Sequence, residues 1–453
     1  MRKYIIAAVV ALTVLASTPP AVAEPTANEY LPVAFSGFGT FGVAHTQGDG
    51  AGFIRDMAQP KGANNRGLSW ELDTRIGVQA NLKPAENLEA VAQIVSRYSN
   101  ENNFKPELTW GFLKYTLNEA IEVRAGRIGF DAFLSADSRD IGYSYLWIRP
   151  PSDYYGSLFL SYEDGGDVIF RMPMGKGLTR LKLYSGITRG RSSSLLEQRE
   201  WAGNISSGPI GSVLDMNGSR GQGGFIDYQD RHWIARVGIA RLHIAKDFPA
   251  GSLNMLGLIR SNANQAFDQD KLQLSNALVN FANDASVANK QITFKSIALA
   301  YEDGPLQTQM ALSRITADSL MVANSRAGYV SAGYRLGKLT PYSVISFVKS
   351  KRSDRSDELI GLASDRIVSL TNFMLSAPLT NQTTYSIGVR YAITDNAALK
   401  FQMDMIRNNN CSPVTLPVVG PGTSCAPPRF WTNVPVSWNG RANVYSAVLD
   451  FAF

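Results

Sequence analysis

The sequence predicts an all-β protein, a closed transmembrane β-barrel of sixteen antiparallel strands with short turns at one end and long loops at the other. Three observations lead to this prediction. Apolar and polar residues alternate through many short segments, and the connections between those segments are alternately short and long. No stretch of the chain reaches the roughly 20 consecutive apolar residues that a membrane-spanning helix requires.

The N-terminus has the pattern of a secretory signal peptide, residues 1–23. Two basic residues precede an apolar run of 13 residues at 4–16, and residues 21–23, Ala-Val-Ala, form a small-residue cleavage site. Residues 24–453 are then expected to form the barrel. The formal net charge of the full chain is only +6, so no nucleic acid is expected as a partner. Aromatic residues at 10% and a mean hydropathy of −0.10 fit a β-rich chain without a large apolar core.

The clearest alternation is "TTYSIGVRYAITDNAALKFQMDMI", residues 383–406. Tyr385, Ile387 and Val389 share one face with the apolar residues that follow, whereas Arg390 lies on the other. After a tight turn at 394–396 the alternation resumes, which predicts a hairpin with one apolar face and one polar face. Sixteen such segments are predicted. Their approximate spans are 33–46, 68–82, 87–99, 107–117, 120–128, 157–172, 178–188, 222–229, 232–241, 292–301, 306–316, 326–336, 339–349, 383–393, 397–407 and 443–453.

The lengths of the connections indicate a membrane barrel. Short turns alternate with long loops, and the long ones include 129–156, 189–221, 242–291, 350–382 and 408–442. In hydrocarbon an open sheet edge would leave amides and carbonyls unpaired, so the sheet must close. A cylinder of sixteen strands is wide enough to hold water, which accounts for charged residues on the inward faces.

The stretch "GFGTFG", residues 37–42, matches the Gly-x-Gly-x-x-Gly spacing of dinucleotide-binding sites. That motif requires a helix that starts within it, and the glycine-rich residues that follow are not helical in pattern. We therefore place it in the first strand, where its glycines allow bending or the close approach of a loop or another chain. No cofactor is expected.

The C-terminus "VYSAVLDFAF" places apolar residues on one face and ends in Phe453, as do the terminal strands of Gram-negative outer-membrane barrels. With the first strand and the sixteen-strand layout, the chain resembles the trimeric porins of Gram-negative outer membranes. The resemblance implies a location in the cell outer membrane, a homotrimer, contact with membrane lipid and lipopolysaccharide, and recognition of Phe453 by the barrel-assembly machinery.

The third long loop, at about 129–156, contains "DAFLSADSRDIGYSYLWIRPPSDYYG" and resembles a loop of one branch of proteobacterial porin-like proteins. The resemblance implies that this loop folds into the lumen and sets its narrowest point. The usual Pro-Glu-Phe-Gly-Gly tip of general porins is absent from it. The loop residues implied to lie near the constriction are Asp131, Asp137, Arg139, Asp140, Arg149 and Asp153.

Arginines on inward faces are expected to form a basic wall opposite the acidic residues of that loop. Charges on opposing walls bias ion flow and disfavour apolar solutes. Each of these arginines is alternatively a solvated lumen residue with no selective role. The predicted wall consists of Arg75, Arg97, Arg124, Arg127, Arg236 and Arg390.

Cys411 and Cys425 enclose thirteen residues in the last long loop, and we predict a disulfide between them because exported proteins mature in an oxidising compartment. Metal binding would require further Cys or His residues nearby, so no metal site is expected. Free thiols remain the alternative.

Passive diffusion of small hydrophilic solutes and ions is the predicted function, and the alternative is a substrate-selective channel for anionic small molecules. An enzyme is not expected, because His232 is predicted to lie at the opposite barrel end from His45 and His243. A gated transporter would need about 22 strands and a plug domain. A structural barrel or adhesin would lack conductance.

Overall fold

Exposure alternates along the chain with a period of two residues, as the sequence predicts for barrel strands. Tyr385 and Ile387 are 42% and 53% exposed, whereas Ser386 between them is 6% exposed. Apolar side chains on this strand therefore point outward and the polar side chain points inward.

The computed structural model describes residues 33–99, 103–157, 160–189, 191–193, 213–247, 250–351, 353–354, 357–376, 379–409, 411–416, 420–425, 430–432 and 438–453. The predicted signal peptide lies outside these residues. Sixteen strands close into one antiparallel barrel, which confirms the predicted fold class. The strands are β1 (Val33–Gln47), β2 (Arg75–Ala85), β3 (Leu88–Arg97), β4 (Pro106–Asn118), β5 (Ile121–Gly129), β6 (Tyr162–Met174), β7 (Gly177–Thr188), β8 (Ser219–Gln229), β9 (Trp233–His243), β10 (Gln291–Asp303), β11 (Leu306–Ala317), β12 (Ser325–Tyr334), β13 (Leu339–Ser350), β14 (Asn381–Thr394), β15 (Ala397–Asn408) and β16 (Arg441–Ala452).

Each strand pairs with its sequence neighbours, and β1 closes the sheet by pairing with both β2 and β16. Phe38 lies opposite Gly77 on one side and Ala452 on the other. Turns of two to four residues join the strands at one end of the barrel, the short-turn end, where β16 also finishes. The longer connections lie at the opposite, long-loop end. Closure pairs the edge amides and carbonyls that lipid could not satisfy.

The predicted strand boundaries agree with the structure within three residues, except at two starts. Strand β2 begins at Arg75 instead of 68, and β6 begins at Tyr162 instead of 157. Residues 68–74 belong to the first long loop, where the Leu72 carbonyl accepts hydrogen bonds from the Arg55 and Gln59 side chains. Ser69 still pairs with Ala44 of β1, but loop side chains bond to the Leu72 carbonyl, and the regular strand begins only at Arg75.

Within the described parts of the long loops, where the sequence predicted only connections, four α-helices are present. They are α1 (Ser152–Tyr155), α2 (Ala250–Asp268), α3 (Leu272–Ala285) and α4 (Asp365–Ser376). Residues of α2, α3 and α4 form one apolar cluster that includes Ile259, Phe281 and Met374. Among the residues described, no helix is long and apolar enough to cross a membrane.

The "GFGTFG" stretch lies within β1, and the chain continues as strand after it. The ring of Phe453 occupies the space that a Cβ on Gly37 would need, and the ring of Phe451 does the same at Gly39. The glycines thus let aromatic rings of the C-terminal segment lie close against β1. The sequence predicted bending or the close approach of a loop or another chain, and the groups found here are instead rings of the paired C-terminal segment.

Cys411 and Cys425 lie directly opposite each other in a short two-stranded ladder formed by Cys411–Leu416 and Gly420–Cys425. This backbone register is compatible with the predicted disulfide, because the two residues are directly opposite each other in the ladder. The disulfide itself stays a prediction.

Candidate channel constriction

Loop three, residues 130–161, follows β5 and lies inside the barrel. The Ala132 carbonyl accepts a hydrogen bond from Ser296 of β10, at 3.2 Å. The backbone N–H of Ile148 donates to the side chain of Gln402 on β15, at 3.1 Å. Loop three therefore contacts distant parts of the barrel wall.

Lys400, an inward residue of β15, is one anchor of loop three. Its Nζ donates hydrogen bonds to the carbonyls of Gly142, Tyr145 and Trp147 at 2.8, 2.6 and 2.8 Å. It also lies 2.9 Å from a carboxylate oxygen of Asp450, and both side chains are fully buried. One lysine thus neutralises a buried acid and satisfies three loop carbonyls, which fixes this part of the loop to the wall.

Arg149 is a second anchor, and it extends from the loop toward the wall. Its guanidinium donates to both carboxylate oxygens of Asp73 at 2.9 and 2.6 Å, to Asp404 at 2.8 Å and to Ser446 at 2.5 Å. The Arg149 side chain is 2% exposed, and those of Asp73 and Asp404 are 0% and 5% exposed. The planar guanidinium suits this multiple pairing, because it presents five donors in a fixed geometry.

Asp131 begins a third set of contacts, on the other side of the barrel. Its carboxylate lies 3.1 Å from Lys182 of β7 and 3.1 Å from Arg236 of β9. Arg236 also pairs with Asp227 at 2.8 Å, and Lys182 lies 3.3 Å from Asp167. These buried groups hold the start of loop three against β7, β8 and β9.

Aromatic side chains fill the space between loop three and the wall. Phe133 packs edge-on against Tyr155, with ring centroids 4.7 Å apart, and Tyr154 contacts Tyr329 of β12 in the same geometry at 5.2 Å. The Tyr155 and Tyr329 hydroxyls are 2.9 Å apart. Edge-to-face pairs of this kind stabilise beyond their buried area. This part of the interior is therefore a packed core.

Asp153 of α1 joins the loop to two further strands. Its carboxylate accepts hydrogen bonds from Ser346 of β13 and Gln382 of β14, both at 2.7 Å. Burial raises the pKa of the Asp153 carboxyl, and these hydrogen bonds oppose the effect only in part. The protonated acid is therefore favoured more in the folded than in the unfolded chain.

The raised pKa of Asp153 predicts a pH dependence of stability. The contribution of Asp153 to the free energy of unfolding is fully present below the unfolded pKa of 3.8. It is lost as the pH rises through the higher pKa of the folded state. Asp153→Asn keeps the shape of the side chain and removes its titration. We expect the difference in melting temperature between pH 4 and pH 7 to be smaller for this variant than for the wild type. Circular dichroism melting in detergent measures this. An unchanged difference between the two pH values would contradict it.

Two adjoining spaces are open in the interior formed by the described residues. A cavity of about 310 Å³ lies toward the short-turn end, where it is lined by Gln229, His232 and Gln307 among others. A slot of about 30 Å³ lies on its long-loop side. The two share Arg139, Pro150 and Tyr155, so they adjoin. The slot holds about two water molecules and is the narrower space.

Charged side chains dominate the slot. Arg75 Nε donates to the carbonyl of Asp140 at 2.7 Å, and Arg97 pairs with the Asp140 carboxylate at 2.6 Å. Arg55 pairs with Asp56 at 2.9 Å. The complete lining of the slot is Arg55, Asp56, Arg75, Arg97, Arg139, Asp140, Pro150, Tyr155 and Gly156.

Four arginines and two aspartates give the slot a formal charge of +2. Burial alone would raise the pKa of Asp140, but Arg97 and Arg139 lower it to about 2. Burial and the neighbouring Arg97 charge lower the pKa of Arg139 to about 10. Both groups therefore keep their charges at neutral pH, and the arrangement attracts anions.

The structure brings four of the residues predicted from the sequence together in the slot: Arg75, Arg97, Arg139 and Asp140. Arg390 lines the wider cavity, with its guanidinium 4.6 Å from the centre of the Tyr143 ring.

The other predicted constriction residues lie elsewhere. Asp131, Arg149 and Arg236 anchor the loop, and Arg124 pairs with Asp167 of the wall at 2.6 Å. Asp137 is exposed and does not line the slot. Arg127 lies three residues from the inward Arg124, hence on the outer face of β5, where it pairs with Asp164 at 2.7 Å.

Arg55 and Asp56 also line the slot, and the sequence did not predict them. They belong to the first long loop and reach the slot because that loop also folds inward, with the Ile54 N–H bonded to the Phe430 carbonyl at 3.0 Å. A charged pair directly after the apolar Phe53-Ile54 could indicate a loop segment that folds inward. The indication is weak, because exposed loops contain such pairs as well. His232 lies at the opposite barrel end from His45 and His243, as predicted.

No protein-family model and no curated protein sequence matches the chain. Among solved structures, a loop-L8 deletion mutant of OmpT, an outer membrane protein of Vibrio cholerae, matches with a TM-score of 0.50 and 10% identity, over 93% of this chain and 99% of that one. The chain has the outer-membrane β-barrel fold. The resemblance to porins indicated by the sequence is confirmed at the level of this fold.

Two further solved structures of outer-membrane barrels are similar over nearly their whole length. An anion-selective porin from Comamonas acidovorans gives a TM-score of 0.48 at 13% identity, over 94% of this chain and 100% of that one. The outer membrane channel DcaP of Acinetobacter baumannii gives a TM-score of 0.47 at 11% identity, over 95% of this chain and 100% of that one.

Proposed function

We propose that this outer-membrane barrel is a porin, through which small hydrophilic solutes and ions diffuse passively. The observation that carries the proposal is the pair of adjoining spaces inside a closed barrel, one of about 310 Å³ and one of about 30 Å³. Charged side chains line the narrower one, and charges at a constriction select among solutes. No cofactor and no catalytic step enter the proposal.

A substrate-selective channel for anionic small molecules is the second candidate, and the slot favours it. A wide pore would pass solutes largely by size, whereas a constriction at the slot, which has a volume of about 30 Å³, would bring each solute against the side chains that line it. The excess of two positive charges there lowers the energy of an anion and raises that of a cation.

We further propose that the barrel resides in a Gram-negative outer membrane as a homotrimer and contacts membrane lipid and lipopolysaccharide. Outward apolar residues such as Ile226 and Val237, 56% and 60% exposed, support a lipid environment. The C-terminal Phe453 is 59% exposed, which supports its recognition by the barrel-assembly machinery.

Single-channel recording in planar bilayers tests the proposed function. We expect discrete conductance steps that occur in groups of three for a trimer, and no steps from heat-unfolded protein. Folded protein without conductance would contradict the channel. Liposome swelling then separates the two candidates. A general porin admits neutral sugars, whereas the selective channel admits small anions and largely excludes sugars.

A further inference from the structure

Four basic residues form a continuous row on the outer face of the barrel. Lys295 lies directly opposite Arg314, Arg314 opposite Arg326, and Arg326 opposite Lys349, on the adjacent strands β10 to β13. All four side chains are exposed. Neighbouring strands are about 4.8 Å apart, so the row spans about 14 Å.

The row is on the outward face because its residues alternate with inward ones. Ser296 follows Lys295, and its hydroxyl donates to loop three inside the barrel. Arg314 likewise lies between Ser313 and Ile315, which are 9% and 8% exposed. The row therefore continues the apolar, outward side of the strands.

Like charges placed directly opposite each other destabilise a sheet unless something neutralises them. Within the residues that the structure describes, no acidic side chain pairs with any member of the row. The outward arginines near β5 and β7, in contrast, have an acidic partner. Arg127 and Arg189 each lie 2.7 Å from Asp164. The row thus lacks the counter-charge that the protein provides elsewhere on the same face.

An apolar groove of about 700 Å³ adjoins the row. Lys295, Arg314 and Arg326 line the groove on its long-loop side, because each lies closer to the long loops than its outward apolar neighbours do. Gly224 leaves part of the groove floor without a side chain. The outward apolar residues along the groove are Leu183, Ile226, Val237, Ile239, Ile297 and Leu312.

We propose that the row and the groove together bind one phosphate-bearing lipid of the leaflet at the long-loop end. The phosphate head group lies on the row and an acyl chain lies along the groove. Arginine suits the phosphate because its guanidinium donates two parallel hydrogen bonds to phosphate oxygens. A free phosphate ion would satisfy the row and leave the groove unused. The inference rests on the proposed membrane location and not on the selectivity of the pore.

Lipid binding to the full-length mature barrel, measured by native mass spectrometry from neutral detergent, tests the proposal. The probes are phosphatidic acid and phosphatidylcholine of the same chain length. We expect the wild type to bind phosphatidic acid about tenfold more tightly, a difference of about 1.4 kcal/mol. The triple variant Lys295→Ser, Arg314→Ser and Arg326→Ser should lose this preference.

A matched control removes three lysines from the opposite, short-turn end: Lys83→Ser, Lys176→Ser and Lys338→Ser. It should keep the wild-type preference. The proposal would be overturned if the first triple variant kept the full preference for phosphatidic acid. It would also be overturned if inorganic phosphate displaced the lipid at equal concentration. The single variant Arg314→Ser, with a smaller loss expected, covers the case in which the triple variant does not fold. Conductance measured in parallel separates a failure of the lipid site from a failure of the channel.

Discussion

Replacement of Arg149 by alanine is expected to destabilise the barrel by about 3–5 kcal/mol and to raise its single-channel conductance. The change leaves the carboxylates of Asp73 and Asp404 buried without their common partner, at side-chain exposures of 0% and 5%. Unpaired buried charges recover hydration by drawing water into the interior. Because the same contacts hold loop three to the wall, their loss should free part of the loop and widen the passage.

Thermal unfolding followed by circular dichroism and conductance in planar bilayers measure these two effects. The control is Arg335→Ala, which breaks an exposed ion pair with Glu302 at the short-turn end, 3.2 Å long. Exposed pairs contribute about 0–1 kcal/mol, so this variant should behave like the wild type. An Arg149→Ala barrel with wild-type melting and conductance would show that Arg149 does not anchor the loop.

The second large effect is expected for Arg139→Glu, which changes the formal charge of the slot from +2 to 0. Arg139 is the slot arginine whose pKa is lowered, because burial and the neighbouring Arg97 charge disfavour its protonated form. Its removal therefore relieves repulsion among the remaining arginines. We expect the anion preference to disappear.

Reversal potentials in a KCl gradient measure that preference. Arg390→Glu is the matched control, because it makes the same charge change in the wider cavity, where water screens charges more strongly. A smaller shift is expected for it. Equal shifts in the two variants would place the selective point outside the slot.

The barrel was predictable from the sequence because its pattern is local. Each strand must alternate between lipid and interior, so the period of two is visible within ten residues, as in 383–393. The start of β2 was not predictable in this way. Residues 68–74 keep the alternation, but the Leu72 carbonyl bonds to side chains of the first long loop and not to a neighbouring strand.

The loop anchors were not predictable, because they join residues that are distant in sequence. Arg149 and Asp404 are separated by 255 positions, and Lys400 bonds to carbonyls about as far away. Inward charge alone identified Arg75 and Arg97, but it did not separate them from Arg124 and Arg236. All four bond to other protein groups, and only the path of loop three decides which of them line the open space.

The helices of the long loops depend on one another in the same way. Helices α2, α3 and α4 come from two different loops and bury their apolar residues in one cluster. Most helical stability in proteins comes from packing of an apolar face, so the formation of these helices depends on contacts that the local sequence does not reveal.

The reversal potential of the wild-type channel in a tenfold KCl gradient tests the central claim most directly. If the arginine slot is the narrowest point of the passage, chloride crosses more readily than potassium, and the potential takes the sign of an anion-selective pore. A potential of the opposite sign, or one near zero, would contradict the slot as the constriction.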